Sequence, residues 1–313
     1  MVDMPRSLTA RCPEDLLAIV PVVLGFEPAD SIVMLTLDAD RTFHARVDLP
    51  PAPEHLEAVV DLLLEPAVRH GAAAVVLVLY TADEAAARRV VRRMRARGPR
   101  ARPRMAEALR VHDGRWFPLL RDRRGLGTTG VPYDVSSHPL VAEAVLEGRV
   151  LHRSRQELAR SLGQDPGAAA EVDAARTGRH APAAWVAQRL EAWVGGSEDP
   201  STAEAARLLE AIEVPAVRDA AWGRIRRASA RDDVHFWSAL VRRAPDDLVP
   251  HAASVLAFAA WLSGDGALAW CAVDRARELD PAHSLAHLVA DLLTGAVPPS
   301  EWDAMRRHLR SVS

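Results

Sequence analysis

The chain has 313 residues, 49% hydrophobic and 26% charged, with a formal net charge of −3. Those proportions exclude a disordered chain, a collagen-like chain and a small disulfide scaffold, and the length suits roughly two domains. All 39 basic residues are arginine, and with net charge near zero no chain-wide field attracts nucleic acid or an anionic membrane.

Pro13, Glu14 and Asp15 open the first predicted helix, because proline suits a first turn and carboxylates favour its positive end. Gly25 is placed to close it, with Pro28 beyond. Ile32-Val33-Met34-Leu35 is a continuous apolar run, as in a strand covered on both faces. After a turn at Asp38-Ala39-Asp40, Phe43, Ala45, Val47 and Leu49 alternate with Thr42, His44, Arg46 and Asp48. That is the period of a strand with one buried face.

A helix from about Pro53 to His70 and a strand over Val75–Leu79 follow, a succession that most often makes a parallel crossover. Thr81 and Glu84 have capping-box spacing before a third helix. Asp113-Gly114, between Ala108–Val111 and Trp116-Phe117, is a hairpin signal, since both turn positions must tolerate positive φ. Residues 1–139 are therefore expected to form an α+β domain: about five strands in a mixed sheet, with three helices.

Residues 140–313 carry no strand pattern and are expected to be all-α, with a linker near 163–182. Ser154 with Glu157, and Ser201 with Glu204, have the spacing of helix starts. Seven of the eight tryptophans lie beyond residue 180, as core-filling side chains between helices would. Ala244-Pro245 and Asp280-Pro281 stand 36 positions apart (residues 244 and 280), close to the tetratricopeptide period. They suggest a repeat-like end of helical hairpins over 245–313.

Most chemical motifs fail on physical grounds. Cys12 and Cys271 lack metal-ligand or CxxC spacing, so neither metal nor cofactor is expected. A reducing cytosol suits them, and neither a membrane span nor a leader is expected. Gly125-Leu126-Gly127-Thr128-Thr129-Gly130 has the letters of a dinucleotide fingerprint without the strand before or the helix after, and reads as a loop. His283, His287 and Asp291 share helical spacing, but Ser284 stands where a zinc protease needs glutamate, so they read as a solvated helix face. Ser137 and His138 are adjacent and point apart, and no Gly-x-Ser-x-Gly elbow exists. Nine arginines fall between Arg88 and Arg104 with no acid among them, yet Ala87, Val90, Val91 and Met94 stripe the first part. The run reads as the polar face of an amphipathic helix, and nucleic acid is not the expected partner. One constellation remains: His44, Arg46 and Asp48 on one strand face, with Asp30 just before the neighbouring strand. A carboxylate, a guanidinium and an imidazole there could hold a polar or anionic ligand or move a proton.

Pro13-Glu14-Asp15-Leu16-Leu17-Ala18, Val20-Pro21, Leu24-Gly25-Phe26, Pro28 and Asp30-Ser31 resemble the opening of an actinobacterial family, domain-of-unknown-function family 4192. The resemblance continues through Arg46-Val47-Asp48-Leu49-Pro50, Asp113-Gly114-Arg115-Trp116, Pro132-Tyr133-Asp134 and Ser137-His138-Pro139. It reaches Ala260–Ala267 near the end. It implies no activity, but it places Asp30, Arg46 and Asp48 at motif positions. Family members often carry cysteines before the Pro-Tyr-Asp segment, and this chain has none there. The expectation is a non-catalytic binding or regulatory protein with a protein partner on its C-terminal helices. The alternatives are an enzyme, possibly a hydrolase, using Asp30 or Asp48 as acid–base and Arg46 as anion clamp, or nucleic-acid binding through Arg88–Arg104.

Overall fold

In the computed structural model, which describes residues 10–39, 43–97, 103–120, 125–196 and 198–303, the chain first forms helix α1 (Pro13–Leu24). Its start is set by Asp15, whose carboxylate accepts from the Arg11 N–H at 2.6 Å and the Cys12 N–H at 3.3 Å. Gly25 ends it at φ +73°, donating its N–H to Pro21 O at 2.8 Å.

Strands β1 (Ser31–Leu37) and β2 (His44–Asp48) then pair antiparallel, with Val33 opposite Arg46 and Leu35 opposite His44. Thr36 Oγ1 prolongs this ladder, accepting from Phe43 N at 3.2 Å and donating to Phe43 O. A short turn of 3₁₀ helix at Pro53–His55 leads into α2 (Leu56–Arg69), then β3 (Ala74–Tyr80), α3 (Glu84–Arg97), β4 (Arg104–His112) and β5 (Arg115–Pro118). The hairpin turn between the last two holds Asp113 and Gly114 at φ +48° and +63°. A one-turn α4 (Leu126–Thr129), a two-residue β6 (Val131–Pro132) and α5 (Pro139–Leu146) follow.

The six strands run β2-β1-β3-β4-β5-β6, and only β3 and β4 are parallel neighbours. The crossover through α2 does leave β3 parallel to β2, but β1 lies between them. Strand β2 occupies one edge of β1 and leaves the other for β3. Thr81 and Glu84 do not form the expected capping box. Asp83 caps α3, its carboxylate accepting from Ala86 N at 2.8 Å, while Thr81 accepts from Asp83 N.

One face of the sheet, with Ile32, Met34, Val75, Leu77, Leu79 and Ala108, packs on α2 and α3 through Val60, Leu63, Val90 and Met94. Phe43, Ala45, Val47 and Leu49 join that core, so the alternation read in β2 is present. The opposite face carries Val33, Leu35, Val76, Val78, Leu109 and Val111, all buried. On this side α1 is tied to the sheet by Glu14, whose carboxylate accepts from Trp116 Nε1 at 3.0 Å. Asp15 is linked to His138 Nε2 at 3.1 Å.

Chain contacts divide the protein into two units, Met1–Ser154 and Arg155–Ser313. The second is helical: α6 (Arg155–Arg160), α7 (Pro166–Ala174), α8 (Ala183–Trp193), α9 (Thr202–Ala211), α10 (Pro215–Gly223), α11 (Ala230–Arg243), α12 (Val249–Ser263), α13 (Gly266–Leu279) and α14 (Ser284–Thr294). No named strand lies in it among the described residues. The α9 start is the expected capping box of Ser201 and Glu204. Helix α12 is buried on all sides, which its near-uniformly apolar sequence requires, and its alanines let α11, α13 and α14 approach closely. Phe258 of α12 sits among Trp222, Trp261 and Trp302, with ring centroids 4.8 to 5.4 Å away.

Candidate ligand cleft

The strand face proposed from the sequence is partly self-satisfied. Arg46 lies 2.7 Å from Asp48, its own neighbour two residues on, and reaches Ala29 O at 3.5 Å. Asp48 itself is 82% exposed. His44 is half-buried, and burial pushes its pKa down to about 4, so at neutral pH it is an uncharged imidazole. Asp30 departs from this group. It takes φ +42° at the entry to β1, and its carbonyl accepts from Leu49 N at 2.8 Å, while its side chain lies elsewhere.

That elsewhere is a cleft of about 450 Å³ at the carboxyl ends of β3 and β4. In open sheets containing parallel strands this end is the usual place for a ligand, because the loops diverge there and leave a crevice. The apolar wall comes from α1 (Leu17, Pro21) and from Pro28, Val111 and Val135. The polar wall comes from Glu27, Asp30, Tyr80, His112, Tyr133 and Asp134. The chain has two tyrosines, and both are here. Burial raises the pKa of Tyr80, with Tyr133 and Glu27 adding to the effect; burial and then Glu27 raise that of Tyr133. Both phenols therefore stay protonated donors well past neutrality. The sequence hinted at the site only through the scarcity of tyrosine; Tyr80 closes a run of core residues and Glu27 sits in a turn.

Ser31, Arg46 and His44 lie on the same side of the sheet as Tyr80, since Ser31 pairs directly with Tyr80 and Asp48. Ser31 Oγ, Arg46 Nε and His44 Nδ1 are buried atoms without a hydrogen-bond partner. Buried polar atoms are normally paired, so three on one sheet face stand out, although none of the three residues lines the cleft.

Other motifs resolve differently. In the arginine run, Ala87, Val90, Val91 and Met94 are the buried stripe of α3. The missing acids come from α2: Arg93 meets Glu57 at 3.0 Å, and Arg97 meets Glu57 at 3.4 Å and also pairs with Asp61. Positions 98–102 of that run lie outside the described residues. The Gly125–Gly130 segment is not a plain loop: it forms α4, and Gly130 at φ +63° abuts the Phe117 ring. His283 is not on a solvated helix face. It precedes α14 as its N-cap, is buried, and contacts His251 Nδ1 at 3.2 Å and Arg218 at 3.3 Å. His287 bonds Pro281 O at 2.8 Å. No group able to hold a metal ion appears among the described residues, nor does any helix long and apolar enough to cross a membrane.

Three of the segments that converge on the cleft, Leu17 to Asp30, Asp113-Gly114 and Tyr133-Asp134, also carry the sequence resemblance, whereas Tyr80 to Ala82 does not. A family model, "Domain of unknown function (DUF4192)", matches residues 13–300. The chain belongs to the DUF4192 family. No curated protein and no solved structure matches it. In this DUF4192 protein the matched span contains the whole described sheet, the cleft and the helices through α14.

Proposed function

We propose that this protein is a binding module without catalytic chemistry of its own: the N-terminal unit takes up a small polar ligand, and the helical unit engages a partner protein. The first part rests on the cleft, whose position and volume match those of small-molecule sites and whose wall combines apolar side chains with a few polar groups. Asp30 belongs to that wall; His44, Arg46 and Asp48 of β2 do not line it. The second part draws on the α12–α13 hairpin, closed by Gly264 at φ +87° and capped by Asp265, an antiparallel pairing of the kind found in tetratricopeptide-like interaction domains.

The cleft reading is tested by thermal-shift screening against polar metabolites, with Ala82→Trp as a blocked control. Ligands should raise the melting temperature of the wild type and not of the variant. If no compound separates the two proteins, the reading is wrong.

A further inference from the structure

We infer that the N-terminal end of α14 binds a phosphate group, held by Arg218 of α10, His251 of α12, and His283 and Ser284 at the helix start. Two independent observations meet there. Ser284 and Leu285, the first residues of α14, present N–H groups that no acceptor engages among the described residues, at the end where a helix attracts negative charge. Against this end lies the Arg218 guanidinium, 8% exposed. Its Nη2 donates to Ser284 Oγ at 3.2 Å, its Nη1 is 3.3 Å from His283 Nε2, and its buried Nε has no partner.

Hydrogen placement shows a surplus of donors. His283 Nδ1 caps the helix by accepting from Ala286 N at 3.5 Å, so its neutral ring carries the hydrogen on Nε2. That N–H donates to His251 Nδ1 at 3.2 Å, which puts the His251 hydrogen on Nε2. Arg218 Nη1, itself only a donor, then faces a second donor. Burial depresses the pKa of both imidazoles, and the Arg218 charge adds to it, so neither ring is charged at neutral pH.

The nearby carboxylates do not use up this surplus. Asp219 is 3.5 Å from Arg218 Nη2, is 54% exposed, and accepts from Trp222 Nε1 at 3.0 Å. Asp247 pairs with Arg176 at 2.8 Å, and Asp280 accepts from Ala282 N at 3.1 Å. Arg46, Arg110 and Arg275 also leave Nε unpartnered, but their guanidiniums are otherwise engaged. Arg46 has Asp48 at 2.7 Å, Arg275 has Glu278 at 3.4 Å, and Arg110 lies 3.9 Å from the Phe117 ring centre. A tetrahedral oxyanion carries acceptors on every side, so it can take the guanidinium and the helix N–H groups together. Ser284 is exposed and His251 half-buried, which opens the site to solvent.

Long-range ¹H–¹⁵N spectra of the imidazoles read the site directly, with His251 and His283 assigned through His251→Gln and His283→Asn. Inorganic phosphate and glycerol 3-phosphate would each be titrated against chloride at fixed ionic strength. Saturable movement of both ring signals by either compound supports the site. Tighter binding of the ester marks the phosphate as part of a larger metabolite, and tighter binding of the ion marks it as free. Arg218→Lys keeps a charge without the planar fork and should weaken binding about tenfold or more. Ser284→Asp, at an exposed position, puts a carboxylate at the helix start where the phosphate would sit. It should raise the melting temperature and abolish binding. Rings that ignore both compounds, or that respond equally in Ser284→Asp, would overturn the site and leave the cleft reading untouched.

Discussion

Glu210 of α9 is 2% exposed, yet its carboxylate organises a surface segment. It accepts from Gly178 N at 2.7 Å, from Thr177 N at 3.1 and 3.2 Å, and from Thr177 Oγ1 at 3.3 Å. Arg176 stands 3.9 Å away. Within positions 163–182, rich in glycine, alanine and proline, the chain thus forms α7 and then an anchored turn. Hydrogen bonds to a charged acceptor contribute about 1.5–3 kcal/mol each, though several to one carboxylate do not add. Thr177 and Gly178 are exposed, so their freed N–H groups can turn to water, which trims the loss. Glu210→Ala should therefore cost about 3 kcal/mol. Glu210→Gln should cost less, since one oxygen still accepts while the new NH₂ faces donors. Urea unfolding measures the cost, and amide exchange locates it: Thr177 and Gly178 should lose protection in both variants. The contact of His180 Nδ1 with the Glu210 backbone carbonyl at 2.7 Å should survive as an internal control. A stability unchanged within about 0.5 kcal/mol, with both amides still slow to exchange, would refute the reasoning.

Absorbance at 295 nm should show no tyrosine ionising near pH 10 in the folded protein, because both phenols are held above their ordinary value; a normal titration would place at least one ring in water. Burial, then His251 and Arg218, depress His283 to about 4. The unfolded chain therefore binds more protons between about pH 6.5 and 4, so its contribution is intact above that window and lost as pH falls through it. His283→Asn, which keeps a capping side chain, should make the acid loss of stability shallower by up to about 3 kcal/mol; unfolding curves of unchanged pH slope would contradict this. Gly130→Ala should cost more than Gly125→Ala: both sit at positive φ, but only at Gly130 would a Cβ strike Phe117, at 2.6 Å. At Gly125, with ψ 16°, the backbone alone costs about 1–2 kcal/mol; Gly130, with ψ 170°, sits where essentially only glycine is found, so backbone and ring add there, and equal losses in chemical denaturation would remove both as factors.

Local pattern sufficed for much of the fold. The Pro13 start and Gly25 stop of α1, the two-residue period of β2, the Asp113-Gly114 turn and the Ser201–Glu204 cap are each written within a few neighbouring residues. Short-range sterics and hydrogen bonds decide such features, so one sequence discloses them. The chain's membership of its family was likewise readable from motifs.

What faces what was decided only by tertiary structure. Nothing local says that β1 separates β2 from β3, that α2 supplies carboxylates to the arginines of α3, or that His283 is buried against His251 and Arg218. The cleft is the clearest case. Asp30 and Arg46 are near in sequence logic, yet the loops bring Asp30 to Tyr80 and Tyr133, while Arg46 turns to Asp48. Charge partners and cavity walls come from segments far apart in the chain, and only packing the sheet between α1 on one face and α2 and α3 on the other sets their distances.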